Sequence, residues 1–444
     1  MRYGFLGLVF CATLTQAETM RQRMASRVRE YADAGLFSGV VLVSKGNDKI
    51  FKQAFGMADR ELNVPNSTGS KFQIASLSKP ITAVAVLRLV EQGKLSLSDH
   101  LSKFVPDFPS GDKITIEELL THYSGLADAS ADPDYSEWSR FPQTTAALVE
   151  RVKKKPLQSE PGTQYFYSNS NYHILAFITE KVAGQSYGSV LNNEIFQPSG
   201  MMNTAHHDDA AAIILNLVHG YSPIGATAFE NAPYLDWTSK TGNGSVYSTA
   251  DDLLLFHHAL QNGKLLKPAT LIDSYGFEHE NRKVGMFWFR RQRFGHRSVY
   301  VNGSSPGFKA HFERFIDDDA AVIVLSNLYL AAPSIIAEDL SAILFNEPVA
   351  RPVPKPIKLS ENELAKYAGS FRFGPDYFVK NALVKIEPHS DYLSMVNLAT
   401  GYIIPLSPID RGKFFDRSFW SFVRFEKDKL IYTNGDTDYV AARQ

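Results

Sequence analysis

Apolar positions along this chain follow two rhythms, and the places where one gives way to the other mark its elements. Residues 38–56, SGVVLVSKGNDKIFKQAFG, read as an apolar strand, a Lys-Gly-Asn-Asp turn and a second strand, which is a hairpin signal. The next segment, FQIASLSKPITAVAVLRLVEQGKL, changes to helical spacing and predicts a helix over 78–93. Its residues Ile81, Val84, Val86, Leu87, Leu89 and Val90 are apolar nearly all round, the pattern of a buried helix. Residues 114–126, ITIEELLTHYSGL, predict a short helix ending at Gly125. Residues 161–184 predict a loop leading into a helix over about 171–183. The run STADDLLLFHHALQNGKLL, from Ser248, predicts a helix with a Ser or Thr cap and acids in its first turn. Strand-like runs follow at 297–303, 308–315 and 320–327, then a helix over about 332–345. Strands at both ends with helices between them predict an α+β unit: an antiparallel sheet joined from both termini and flanked by helices, plus a helical subdomain.

Prolines at 348, 352, 354 and 356 mark a semi-rigid linker. Beyond it, residues 367–440 are short aromatic-rich runs separated by turns, the pattern of a small all-β domain of barrel or curled-sheet type. The expected division is therefore 18–347 for the α+β domain, 348–360 for the linker and 361–444 for the β domain.

Composition narrows the chemistry. The chain has 444 residues, 44% hydrophobic and 21% charged, with a formal net charge of -1, so nothing points to nucleic acid or an anionic membrane surface. Residues 1–17 have one positive charge at Arg2, a short apolar run and a small residue, Ala17, before an expected cut. That is the plan of a secretory signal, too short for a stable membrane span, and it predicts a secreted or periplasmic protein. Cys11 is the only cysteine and lies inside it, which leaves no disulfide framework and no thiol nucleophile downstream.

Three stretches carry candidate chemistry. Ser76 and Lys79 share one helix face by their i, i+3 spacing at the mouth of the apolar helix. Desolvation there would depress the lysine pKa, and a neutral amine can accept the serine proton. The same S-x-x-K spacing recurs as Ser110-Gly111-Asp112-Lys113, in a loop with no helix to fix the pair. Tyr167-Ser168-Asn169 offers a phenol that can move a proton if a cation such as Lys79 stands near, and an amide that can hold substrate. The strand ending VYVNGSSPGF offers Asn302, Gly303 and Ser304 beside the nucleophile. The Ser304 N–H would then join the Ser76 N–H in holding an oxyanion. Gly303 to Gly307 also spells G-x-S-x-G, but that nucleophile elbow requires a helix next, and residues 308–315 alternate like a strand. The histidine pairs 206–207 and 257–258 lack metal-ligand spacing, and a surface loop is the simpler reading.

Taken in this order, the serine-lysine pair, the Y-S-N triplet and the G-x-x-P-G-F strand resemble the serine beta-lactamase-related family. The resemblance is strongest to its class C beta-lactamase, D-aminopeptidase and esterase branch. Supporting phrases are LLTHYSGL, PGTQYFYSNSNY, IFQPSGMMNT, GNGSVYSTADDLLLF and VIVLSN. The resemblance implies a beta-lactamase/transpeptidase-like fold and an acyl-serine mechanism without metal or cofactor. Ser76 would be the nucleophile, Lys79 its activator and Tyr167 the proton shuttle, with Asn169 positioning a small-molecule or peptide substrate. The tail resembles the barrel-like domain attached to many members, whose role varies across the family and for which the resemblance offers capping of the cleft as one role. It leaves the oligomeric state open.

One departure matters. The family's third motif is usually Lys-Thr-Gly or His-x-Gly, and here the strand carries Val301-Asn302-Gly303. A literal Lys240-Thr241-Gly242 precedes a Gly-rich loop and not a strand, so Val301 to Gly303 is taken as the counterpart. The cleft is then expected to lack a cation for a substrate carboxylate, an interaction worth roughly 1.5–3 kcal/mol, or about one to two decades of binding. The expectation is an esterase, or a peptidase or amidase for neutral-ended substrates such as small esters and D-amino-acid peptides, and a weak beta-lactamase at best. The alternatives are a non-hydrolytic penicillin-binding or peptidoglycan sensor, or an acyltransferase using the same cleft.

Overall fold

A computed structural model of the chain describes residues 19–225, 228–279, 284–349 and 351–444. The expected signal segment, 1–17, lies outside the described residues. Among the described residues no helix is long and apolar enough to cross a membrane.

The first domain is built on a six-stranded antiparallel sheet. Its order is Phe289–Arg293, His296–Ser305, Phe308–Phe315, Ala320–Ser326, Gly39–Lys45 and Asp48–Phe55. The N-terminal hairpin joins the later strands through Gly39–Lys45, which pairs with Ala320–Ser326 from Gly39↔Ser326 to Lys45↔Ala320. The period of two along these strands splits the interior into two cores. Val40, Leu42, Ile323 and Leu325 face the first core, which also holds Ile81, Val84 and Leu87 of the Ser78–Glu91 helix. Val41, Val43, Val322 and Val324 face the other, against helices Met20–Asp33 and Pro333–Leu344. A central strand covered on both faces reads as a continuous apolar run, and Ala320–Ser326 is buried at every position.

The structure differs from the sequence pattern at three places that shape the site. The strand Phe289–Arg293, which the pattern does not announce, pairs with His296–Ser305 only as far as Phe289↔Tyr300. Val301 to Ser305 therefore run on past this neighbour. The short helix spans Ile116–Thr121, with Thr115 and Glu118 forming a capping box. It stops before Gly125 because His122 takes a left-handed C-cap conformation at φ 61°. The helix expected from 171 begins at Asn169, capped by the Ser168 side chain, which puts Asn169 in its first turn.

The tail forms a closed eight-stranded antiparallel barrel from Gly369–Phe373 to Thr437–Arg443, with the first strand paired to the last. Phe371, Phe373, Ile386, Leu393, Leu406, Phe414, Val423 and Leu430 fill its interior. Closure removes the sheet edges that a domain of this size would otherwise expose. The barrel packs on the first domain: Phe415 belongs to the core beneath helix Met20–Asp33, and the Trp420 and Tyr31 rings lie 5.8 Å apart.

Candidate active site

The Ser76 side chain is held in a turn that leads directly into a buried helix. Ala75–Leu77 is one 3-10 turn, continued by Ser78–Glu91. Ala75 has φ 50°, a left-handed conformation that costs a non-glycine residue about 1–3 kcal/mol and tends to occur at functional sites. From the other side the Val301–Ser305 segment presses on this turn. A Cβ on Gly303 would lie 2.4 Å from the Ile74 carbonyl oxygen, so only glycine lets strand and turn approach this closely.

Lys79 Nζ donates to Ser76 Oγ at 2.9 Å and to the Asn243 carbonyl oxygen at 2.9 Å. The Tyr167 hydroxyl lies 3.1 Å from the same Ser76 Oγ. Lys79 is 0% exposed, and no carboxylate pairs with it among the described residues. Burial, then the charge of Lys240, pushes its pKa well below the usual lysine value, while Asp128 opposes this. The Tyr167 hydroxyl moves the other way: burial raises its pKa well above that of a free tyrosine, with the hydrogen bond to Ser76 acting against the rise. The two shifts run in opposite senses: burial favours the protonated phenol and the unprotonated amine.

One neighbour of Tyr167, His122, carries no obvious sequence signal. The His122 ring stacks on the Tyr167 ring with centroids 4.5 Å apart. His122 Nδ1 accepts from the Ser168 backbone N–H at 3.2 Å and from Asn171 Nδ2 at 3.0 Å, which places the ring proton on Nε2. Burial and the charge of Lys79 hold the imidazole pKa well below its usual value, so it is a neutral packing plate. Asn169 Nδ2 donates to Asp128 Oδ2 at 2.9 Å, which fixes the amide at the cleft wall.

Ser76, Tyr167, Asn169, Asn302, Gly303 and Ser304 all line one cleft of about 500 Å³, so the structure brings together the predicted residues from all three stretches. Lys79 lies beneath it. Val301 is 0% exposed and packs in the first core, so the strand presents no cation, as its sequence implies. The expectation that the cleft itself lacks a cation is corrected: Lys240, Lys309 and Arg417 line it. The segment from Lys240 to Asn243 reaches the site because Gly242, at φ 86°, packs against helix Asn169–Ala183, where a Cβ would lie 2.0 Å from the Tyr172 carbonyl oxygen. The Gly242 carbonyl accepts from Thr82 Oγ1 at 2.7 Å, locking this segment to helix Ser78–Glu91 one turn after Lys79.

The other candidates lie apart. Gly303 to Gly307 form part of a hairpin, not an elbow, since strand Phe308–Phe315 follows at once. His257 is buried on helix Ala250–Gln261 and is not in a surface loop. Its Nδ1 accepts from Arg314 Nε at 3.0 Å, and its Nε2 lies 3.1 Å from Asp319 Oδ1.

Comparisons with known proteins bear on the family and the fold. The Beta-lactamase family model matches residues 17–340. The chain is 28% identical to penicillin-binding protein 4* of Bacillus subtilis (strain 168), over 95% of this chain and 98% of that one. It is 26% identical to the teichoic acid D-alanine hydrolase of Staphylococcus aureus, over 54% of this chain and 59% of the relative. Its fold resembles the crystal structure of the D-amino acid amidase from Ochrobactrum anthropi SV3, with a TM-score of 0.66 at 20% identity, covering 74% of this chain and 99% of the amidase. The chain belongs to the beta-lactamase family.

Proposed function

We propose that this protein is a serine hydrolase that cleaves ester or amide acyl donors through an acyl-enzyme on Ser76. The observation that carries the reading is the chain Lys79 Nζ–Ser76 Oγ–Tyr167 OH, with contacts of 2.9 and 3.1 Å around one nucleophile. Ser76 Oγ attacks the acyl carbonyl as its proton passes to the uncharged Lys79 amine. The Tyr167 hydroxyl, in contact with the same oxygen, relays a proton to the departing alcohol or amine, and Lys79 resupplies it. Water then attacks the acyl-enzyme, with the same groups working in reverse. The Ser76 and Ser304 backbone N–H groups are the proposed donors to the oxyanion.

Burial of the amine without a carboxylate supports Lys79 as the base, and the raised Tyr167 pKa supports relay over phenolate catalysis. The named activities of two similar proteins, a D-alanine hydrolase and a D-amino acid amidase, support small D-amino acid esters and amides as the first substrates to try. Secretion to the periplasm or beyond is proposed on the pattern of residues 1–17.

The test is to treat the full chain with a fluorophosphonate, map the adduct by mass spectrometry, and run p-nitrophenyl esters and D-amino acid amides alongside. Modification of Ser76 with turnover of at least one class is expected. Labelling that persists in Ser76→Ala would remove the reading.

A further inference from the structure

The barrel sends one turn into the catalytic cleft. Between strands Lys413–Asp416 and Ser421–Glu426, residues Arg417, Ser418, Phe419 and Trp420 line the same cavity as Ser76 and Tyr167. Arg417 is only 5% exposed. Its Nη2 donates to the Gly35 carbonyl oxygen, while Nε is buried with no acceptor. Among the described residues it forms no ion pair with a carboxylate. The adjacent acid, Asp416, is committed elsewhere: it accepts from Tyr432 OH at 2.7 Å and from the Ser418 N–H at 2.7 Å. Burial alone lowers the Arg417 pKa, to about 10.

A guanidinium taken out of water without an anion is costly, and a buried donor left unsatisfied calls for a partner. The cleft supplies none of its own. Its lining holds Lys240, Lys309 and Arg417 and no aspartate or glutamate. Asp128, just outside the lining, is held by Asn169 and caps the Ser130 N–H at 2.8 Å. With Nη2 held at Gly35, the Arg417 guanidinium meets a carboxylate as a charged donor and not as a free two-pronged fork, and a charge-assisted hydrogen bond of this kind is stronger than a neutral one.

We propose that Arg417, carried into the cleft by the barrel, receives a carboxylate of the acyl donor, so that the barrel makes the hydrolase selective for anionic substrates. The inference rests on the acyl-enzyme reading of Ser76, and it replaces the missing strand cation with one from another domain.

The experiment uses the full chain, phenylboronic acid and 3-carboxyphenylboronic acid, which bind a reactive serine reversibly and differ by one carboxylate. Inhibition of fluorophosphonate labelling gives both affinities. In the parent the carboxylate is expected to tighten binding by about tenfold or more, the size of one charge-assisted hydrogen bond. Arg417→Gln should bring the ratio close to one, and Arg417→Lys should keep part of it. Because Arg417 also holds Gly35, melting curves are recorded for both variants. If Arg417→Gln does not fold, Arg417→Lys and the parent ratio decide. Equal affinity of the two boronic acids in the parent overturns the proposal, as does a ratio that survives in Arg417→Gln or collapses only in Lys309→Gln. Failure of the parent to label at Ser76 defeats the acyl-enzyme reading itself, whereas labelling with a flat ratio defeats this inference alone.

Discussion

The chain carries S-x-x-K twice, and the two copies show what the spacing needs before it can be chemistry. Lys79 is fully buried, with its amine 2.9 Å from Ser76 Oγ. Lys113 is 60% exposed and sits 3.7 Å from Glu160, itself 72% exposed, an ion pair of a kind that contributes ~0–1 kcal/mol. Ser76 lies on a helical turn continued by fourteen residues of helix, whereas Ser110 lies in a turn at φ 55°. In the first copy helical geometry brings the two groups together and burial strips the amine of water. In the second copy neither holds. The same four-residue spacing therefore places a buried amine against a serine hydroxyl in one place and an exposed lysine in a loop in the other.

The sharpest way to break this contrast is to make the same substitution in both copies. Ser76→Ala is expected to abolish fluorophosphonate labelling and lower kcat by more than ~10⁴-fold, as loss of a nucleophile does. Ser110→Ala should stay within about twofold of the parent, as a change in a half-buried turn that does not line the cleft. Comparable losses in the two would remove the distinction drawn from burial.

The lysines come next in size. Lys79→Met should lower kcat by roughly 10²–10⁴-fold, the range for loss of a general base, and Lys113→Met should leave it unchanged. Stability separates them with a definite sign. The Lys79 pKa in the folded chain lies well below the ordinary lysine value, so the unfolded chain takes up a proton that the folded chain refuses. Burying this amine therefore costs stability at neutral pH, and the cost shrinks as pH rises toward the unfolded value of about 10.4. The melting temperature of Lys79→Met relative to the parent should accordingly be highest near neutral pH and fall as pH is raised. Lys113→Met should show no such trend in calorimetry across the same range.

Tyr167→Phe is expected to cost about 10²-fold in kcat, the lower end for a proton-transfer group. The phenylalanine keeps the ring that stacks on His122, so the circular dichroism spectrum and melting temperature should match the parent. A loss in kcat with little change in KM would place the effect in the proton relay, and an unfolded variant would place it in packing.

Much of this was legible because it is local. The hairpin at 39–55, the apolar helix after Ser76 and the strands from 296 to 326 follow from period and turn residues within a few positions. Ser76, Lys79 and Tyr167 could be singled out because their side chains are of the types that the proposed chemistry needs. The rest of the site uses features that a sequence hides. Asn243 contributes its backbone carbonyl, which any residue would have. His122 contributes a ring face in a left-handed cap, although histidine is not the usual residue for that cap. Arg417 arrives from the far end of the chain through the docking of the barrel, a contact with no local pattern. Lys240 was set aside because no strand follows Gly242, yet the approach of Gly242 to Tyr172 delivers it to the cleft by another route.

Lys240 also offers the finest test of how Lys79 is kept different from Lys113. After burial, the charge of Lys240 is the next cause of the lowered Lys79 pKa, and Asp128 acts in the opposite direction. The proposed mechanism requires the unprotonated amine, so kcat/KM is expected to rise with pH through the Lys79 pKa. Lys240→Gln removes a repelling charge, which raises that pKa and should move the acid limb of the profile to higher pH. Asp128→Asn removes an attracting charge and should move it to lower pH. Both shifts are small beside the loss in Lys79→Met, because burial remains the leading cause and neither variant admits water to the amine. The pair is read by measuring kcat/KM on one neutral ester from pH 5 to pH 10, which keeps substrate charge out of the comparison. Limbs that move in the same direction in both variants, or that stay fixed while KM alone changes, would mean that Lys240 acts on the substrate and not on the base.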